Sequence, residues 1–243
     1  MEARLEHRMM LSSEGHERRR VYHCLKRLLD ILVSLIALIV FFPLMVLIGL
    51  LIVVTSPGPA IFRQERIGSR RRWDRGLERW VPTPFTMYKF RTMRRDTDSS
   101  MHRAFVTAFI NHDTSSMSAI QGDKTAITKI VNDPRITPLG RFLRKSSLDE
   151  LPQLWNILIG DMSLVGPRPP LAYEVEEYQP WHWRRLQAKP GLTGFWQVSG
   201  RSSTTFDDMV EMDIWYSEQT SLLLDLKILL RTVTVVLSGK GGL

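Results

Sequence analysis

Asp149 and Glu150 are adjacent carboxylates that lie just downstream of three cations, Arg141, Arg144 and Lys145. Cations gathered ahead of a helix start make an anion site, and a carboxylate delivered there can serve as a nucleophile or as a Mg²⁺ ligand. Ser147 stands three residues before Glu150, the spacing of a capping box, which predicts a helix whose first turn holds both acids. The apolar face of that helix would be Leu148, Leu151, Leu154, Trp155 and Leu158, and it should end near Gly160. Pro152 fits a first turn, where amides need no intrahelical acceptor. The same pattern also describes an ordinary cap, because acids in a first turn complement the helix dipole without doing chemistry.

More cations recur along the chain. Lys89 and Arg91 fall in Lys89-Phe90-Arg91-Thr92-Met93, Arg168 is held between Pro167 and Pro169, and Arg201 closes the glycine-punctuated stretch that begins at Pro190. Solvated surface charge is the alternative for Lys89 and Arg91, and a proline-rich turn for Arg168. Trp181, Trp183, Arg184 and Arg185 form an aromatic and basic cluster suited to a membrane interface, a stacking platform or plain packing. Asp207, Asp208, Glu211 and Asp213 read as solvated helix charge, with Asp213 beside Trp215 and Tyr216 a weaker site candidate.

The elements that must position these residues begin with an apolar run from Leu28 to Val54. Its 27 residues would make a helix of roughly 40 Å, enough for a hydrocarbon core of about 30 Å. Pro43 divides the run into pieces of roughly 22 and 16 Å, each too short to cross alone. Basic residues flank both ends: Arg18, Arg19, Arg20, Lys26 and Arg27 before, then Arg63, Arg66, Arg70, Arg71, Arg72 and Arg75 after. The positive-inside rule then predicts a re-entrant helix, broken at Pro43, with both flanks on the cytoplasmic side. The expected domains are a polar tail, loosely helical or disordered, over 1–20, a re-entrant membrane helix over 21–56, and a catalytic domain over 57–243.

Within that domain, Ala60 to Gln64 and Pro84 to Phe90 read as short strands separated by a basic, Trp-containing loop. Met101 to Ile110 reads as a short helix within the otherwise mobile segment 96–130, and residues 133–140 as a turn-rich lead into the acidic helix. Ser221 to Leu237 is a helix with apolar residues at helical spacing, suited to lie along a membrane surface. The fold class is therefore α/β, mostly helical with a small sheet, with the N-terminal helix-break-helix and surface amphipathic helices.

The chain of 243 residues carries 33 Lys and Arg against 25 Asp and Glu, a net +8 that suits a phosphate-bearing partner. No nucleic-acid-binding motif accompanies that charge, so nucleic acid is not expected. A single cysteine, Cys24, excludes an internal disulfide and a cysteine metal cluster, consistent with a reducing compartment.

Together these stretches resemble the bacterial monotopic sugar transferases, the polyprenyl-phosphate phosphoglycosyl transferases, in their minimal catalytic form. The resemblance runs over about 24–234 and rests on Lys26-Arg27 with Asp30, Pro43, Phe62 to Gly68, Lys89 to Met93, Asp133 to Thr137, Ser147 to Gln153, Gly160 to Pro169, Pro190 to Gly194, Gln197 to Arg201, and Asp225 to Lys227. It implies that Asp149 attacks the β-phosphorus of a UDP-sugar, releases UMP and becomes a covalent phosphosugar adduct, which undecaprenyl phosphate then accepts. It implies that Glu150 holds Mg²⁺ and that Lys89, Arg91, Arg141, Arg144, Arg168 and Arg201 contact phosphates or the nucleotide. A diphosphate needs its charge offset before a carboxylate can approach, and cations supply this. The implied setting is the inner membrane of a bacterium, with the catalytic domain on the cytoplasmic face of the lipid bilayer. The Trp-rich segments and the C-terminal helix are candidate surfaces for a homodimer. Phe42 and Ser199 depart from the Ser and Asn common at those positions in the family. A reading of another class is a non-catalytic membrane scaffold that binds polyprenyl phosphate or nucleotide sugar.

Overall fold

The structure, a computed structural model, describes residues 2–74, 77–94, 100–121, 133, 135–199 and 204–237. Helix α1 (Glu2–Thr55) takes up the polar N-terminal segment and the whole apolar run. Tyr22, Asp30, Ser34, Ile48 and Ile52 are buried along one face at helical spacing, while Leu29, Ile36, Val40, Phe42, Leu47 and Leu50 are exposed on the others. Pro43 lies inside α1 and the helix continues through it, so the expected break is not seen. A proline removes one hydrogen bond, and packing holds the turns on either side: Ala37 and Leu38 against the main core, Leu44 and Met45 against Phe90 and Leu143.

Both halves of α1 are tied to the same body. Midway along the helix, the Arg27 guanidinium donates to the Ile157 and Leu158 carbonyls at 2.6 and 2.7 Å, and Lys26 pairs with Asp225 at 2.6 Å. Asp30 accepts from the Ser163 hydroxyl and the Leu164 amide at 3.1 and 3.0 Å. At its far end, Arg91 donates to the Ser56 and Pro57 carbonyls.

The two expected short strands are one long antiparallel hairpin, β1 (Ile61–Asp74) and β2 (Leu77–Phe90), paired from Ile61 with Phe90 to Asp74 with Leu77. The basic stretch expected as a loop is the outer half of β1. A two-stranded ribbon has solvent on its flanks, so Arg70 to Arg72 satisfy the ladder through their backbones whatever their side chains carry. Pro82 and Pro84 are accommodated because each strand also has a free edge.

Helices α2 (Ser100–Ile110) and α3 (Thr114–Gln121) follow, the first as expected and the second within a segment read as mobile. The turn-rich lead ends in a helix, α4 (Pro138–Lys145): Thr137 caps it by accepting from the Gly140 amide, and Pro138 takes the first position. The cap thus sits ten residues upstream of the expected one. Ser147 adopts φ 56° and ψ 15°, makes no side-chain cap, and leads into a single 3₁₀ turn, Leu148–Glu150. Helix α5 (Gln153–Ile159) begins only after Pro152 and ends at Gly160, whose φ of 94° closes it in the left-handed conformation. Its buried face is Gln153, Leu154, Asn156 and Ile157, so the expected phase is wrong and Trp155 points outward.

A parallel pair, β3 (Ser163–Val165) and β4 (Gly191–Thr193), flanks α6 (Ala172–Glu176) in sequence. Then come α7 (Phe195–Ser199), α8 (Phe206–Glu218) and α9 (Leu222–Leu237). The main core joins Phe85 and Met87 of β2 to Leu154 and Ile157 of α5, Val165, Tyr216 and Ile228. The architecture is mostly helical with a small sheet, as expected.

Candidate active site

Three elements converge on the acidic turn. β2 delivers Lys89 one residue before its end, and Lys89 Nζ lies 2.7 Å from Glu150 Oε1. α4 passes so close to Thr92 that a Cβ on Gly140 would fall 2.1 Å from the Thr92 carbonyl oxygen, which requires glycine there. That approach sets Arg144 Nε 2.9 Å from Thr92 Oγ1, on the element that leads into the turn. Asn156 completes the frame: its Oδ1 accepts from the Tyr88 amide at 3.0 Å and its Nδ2 donates to the Thr86 carbonyl at 2.7 Å. It satisfies the edge of β2 left open by β1, and so fixes α5 against the strand that carries Lys89.

Lys89, Glu150, Gln153 and Arg168 line one cleft with Arg66, Gly191 and Gln197. Arg66 is buried, donates to the Pro169 carbonyl and the Gln64 side chain, and thereby supports the turn that presents the exposed Arg168. Burial first, and then Arg168, push Arg66 down to about 10, which leaves it cationic at neutral pH. Asp149 is buried beside Glu150, and burial together with the Glu150 charge pushes its carboxyl up to about 6, against the opposing pull of Lys89 and Arg144. On α2, His102 pairs with the Tyr173 hydroxyl at 2.7 Å; burial and the nearby Arg66, Arg135 and Arg168 hold it down at about 4, so it is neutral.

The expected site residues therefore separate. Glu150, Lys89 and Arg168 line the cleft, with Asp149 buried beside Glu150 and Arg144 near enough to favour its charged form. Arg91 does not join them, because both ends of its guanidinium are spent on the carbonyls that end α1. Arg141 lies exposed on α4, and Arg201 and the 96–99 and 122–130 parts of the 96–130 segment lie outside the described residues. Asp213 is a structural group: it is fully buried against Arg185 at 2.6 Å, with the Tyr178 hydroxyl on the same guanidinium. Trp181 packs against a core cluster that holds Phe109, Tyr178, Phe206 and Val210, which favours packing for that residue. Arg66, Asn156 and His102 were missed, although an asparagine inside an apolar helical stretch is a legible signal of a buried bond.

A profile of the bacterial sugar transferases aligns with residues 21–239, nearly the whole chain. The chain belongs to the bacterial sugar transferase family. It is 40% identical over 224 residues to the galactosyl transferase CpsE of Streptococcus agalactiae serotype III, covering 89% of this chain and 43% of that protein. It is 39% identical over 234 residues to the undecaprenyl-phosphate galactose phosphotransferase of Salmonella typhimurium, covering 96% and 45%. The exopolysaccharide production protein ExoY of Rhizobium meliloti is 38% identical over 217 residues, covering 89% and 87%. The chain thus spans less than half the length of the first two relatives and corresponds to most of the third.

Glu150 is the carboxylate in the cleft that would fit a Mg²⁺ ion. Among the described residues, no group of three His, Cys, Asp or Glu side chains converges, so no all-protein cage is present. Mg²⁺ is commonly held by one or two carboxylates with water and substrate phosphates, and Glu150, with its side chain 29% exposed in the cleft beside Lys89, fits that arrangement.

Proposed function

We propose that this family member transfers a sugar 1-phosphate from a UDP-sugar to undecaprenyl phosphate, with release of UMP, through a covalent adduct on Asp149. The observation that carries the reading is the buried Asp149 beside Glu150, acted on by the charges of Lys89 and Arg144 and next to a cleft that Arg168 also lines, on a fold whose α1 exposes apolar side chains between Val21 and Val54. An Asp149 oxygen attacks the β-phosphorus, the bond from that phosphorus to the bridging oxygen breaks, and the bridging oxygen leaves with UMP. A phosphate oxygen of the polyprenyl carrier then attacks the same phosphorus, and the Asp149 carboxylate is the leaving group. Arg168 and Lys89 offset the charge that gathers on the diphosphate as the carboxylate approaches. Glu150 would hold Mg²⁺, which would supply further neutralisation of phosphate charge.

Membrane attachment without crossing is part of the same proposal. A helix that crossed the bilayer would place residues 22–30 and 56–57 on opposite sides, yet both stretches contact the same body. The basic flanks support the cytoplasmic face of the inner membrane for that body. Phe142, Trp155, Ile159, Leu226, Leu230 and Val233 are exposed on α4, α5 and α9, and support contact of those helices with the bilayer.

The experiment is to incubate the full chain with undecaprenyl phosphate and either UDP-galactose or UDP-glucose, scoring the nucleotide product and the lipid. UMP together with a lipid diphosphate sugar is expected with at least one donor. Release of UDP would indicate transfer of the sugar alone and overturn the reading.

A further inference from the structure

The cleft beside the acidic turn has charged and neutral polar groups in its wall. Arg66, Lys89, Glu150 and Arg168 carry the charge, and the uncharged polar side chains of the lining are Gln153 and Gln197. The proposed reaction gives work to the cations and to Glu150, but none to the two glutamines.

Both glutamines are incomplete. Gln153 is 3% exposed, and its Nε2 is shut off from solvent with no hydrogen-bond partner among the described residues. Gln197 Oε1 is likewise shut off and without a partner there. They stand on separate elements. Gln153 opens α5, one turn beyond Glu150, on the helix that Asn156 fixes against β2. Gln197 lies in α7, which follows β4 directly. Folded proteins pair nearly all buried polar atoms, so two orphans on residues that line one cleft mark groups a ligand completes.

The kind of ligand follows from donors and acceptors. Nε2 of a glutamine only donates, and Oε1 only accepts. The oxygens of an ionised diphosphate accept and have no proton to give, so they leave Gln197 Oε1 unanswered. A hydroxyl both donates and accepts, and it answers either end of an amide, whichever way that end is turned. The neighbours narrow the source. A group that meets Gln153 and Gln197 shares a cleft with Lys89, Glu150 and Arg168, where the phosphates are expected, so it is a ring joined directly to the diphosphate. That ring is the hexose on one side or the ribose on the other, and the uracil is one ring further away.

We propose that Gln153 and Gln197 read hydroxyls of the sugar ring next to the reacting diphosphate, and so set which donors the cleft accepts. The inference rests on the phosphosugar-transfer reading and deepens it: the charged residues hold the diphosphate, and the glutamines test what is attached to it. Discrimination comes mostly from rejection. A donor that lacks the matching hydroxyl leaves a buried amide atom desolvated and unpaired.

The test uses the full chain in detergent micelles with undecaprenyl phosphate. The parent donor is UDP-galactose or UDP-glucose, whichever protects the wild type more against thermal unfolding. One arm replaces each free hexose hydroxyl singly by hydrogen, a second does so at the ribose, and a third uses the N3-methyluridine donor. Nucleotide release gives kcat/KM for the wild type, Gln153→Met and Gln197→Met. At least one hexose or ribose analogue should lose about 10-fold or more in the wild type, and it should protect less than the parent against unfolding. In one of the two variants the parent should lose a similar factor, and that same analogue no more than about 2-fold further. The arm in which this coupling occurs tells hexose from ribose. Equal rates or, where no nucleotide is released, equal protection for the parent and every deoxy analogue in the wild type overturns the proposal without any variant. An analogue penalty of the same size in the wild type and both variants overturns it as well, as does a loss confined to the N3-methyl arm, which would place the base in the cleft. The nucleotide released keeps the two claims apart: UDP in place of UMP refutes phosphosugar transfer, while the dependence on hydroxyls is still read from the same rates.

Discussion

Lys89 Nζ and Glu150 Oε1 are 2.7 Å apart, so the penultimate residue of a β-strand and the last residue of a 3₁₀ turn are joined across the cleft where the substrate phosphates are expected. The pair holds a cation beside the cleft and restrains the carboxylate next to Asp149, the proposed nucleophile. Replacing Lys89 by Met should lower single-turnover UMP release by roughly 10²-fold or more, the scale of losing one preorganised electrostatic group. Rapid-quench measurement of the first turnover would check this.

The pH dependence follows from Asp149, whose carboxyl is pushed up to about 6 by burial and Glu150. In the proposed reaction the ionised form attacks, so first-turnover UMP release should rise with pH through about 6 and level off above it. Glu150→Gln removes a neighbouring negative charge and should move that limb to lower pH, whereas Arg144→Gln removes a cation that favours ionisation and should move it higher. A limb that stays in place in both variants would assign the titration to another group.

Asn156 is fully buried and bonds both Tyr88 and Thr86. Asn156→Leu keeps the branched shape, although it is bulkier, and strands the Tyr88 amide and the Thr86 carbonyl, which should cost about 1–3 kcal/mol. It should also slow turnover by up to roughly 10²-fold through displacement of the acidic turn. Denaturant unfolding and kinetics on the same preparation separate the two effects.

Ser147 sits at φ 56°, a conformation that costs a non-glycine residue roughly 1–2 kcal/mol. Ser147→Gly should therefore hold or raise stability with UMP release preserved, while Ser147→Val should lower both. A capping serine would respond in the opposite sense to glycine, so thermal unfolding of the two variants distinguishes a left-handed hinge from a cap.

Native Cys24 is exposed, and a second cysteine at the exposed Arg63 would mark the other flank of the apolar run. Two single-cysteine proteins, the native chain and Arg63→Cys with Cys24→Ser, should both resist a membrane-impermeant maleimide in spheroplasts and react after permeabilisation. Labelling of either one from outside would contradict the non-crossing arrangement.

Much of this was legible in the sequence because it is written locally. The apolar run, the acidic pair, the glycine that ends α5 and the C-terminal helix each follow from composition and spacing over a few turns. The misreadings came where tertiary contact decides. Ser147 and Glu150 match a capping box, but Thr137 had already capped a helix upstream and left Ser147 as a left-handed hinge. Trp155 was counted into an apolar face, yet it points outward because Asn156 is drawn inward to the β2 edge. Arg91 shares a motif with Lys89 but meets the end of α1 instead of the cleft, since neighbours on a strand face opposite ways and two positions along the chain has left the strand. Pro43 marks the membrane segment without ending its helix.

The central claim is a covalent bond to Asp149, and intact-protein mass spectrometry reads it directly. Full-length protein mixed with UDP-sugar and no lipid acceptor should gain the mass of one phosphosugar, localised to Asp149 by peptide mapping, with UMP released up to about one equivalent and the adduct discharged by undecaprenyl phosphate. Turnover in the presence of lipid with no adduct at any time, or full turnover by Asp149→Asn, would contradict the account.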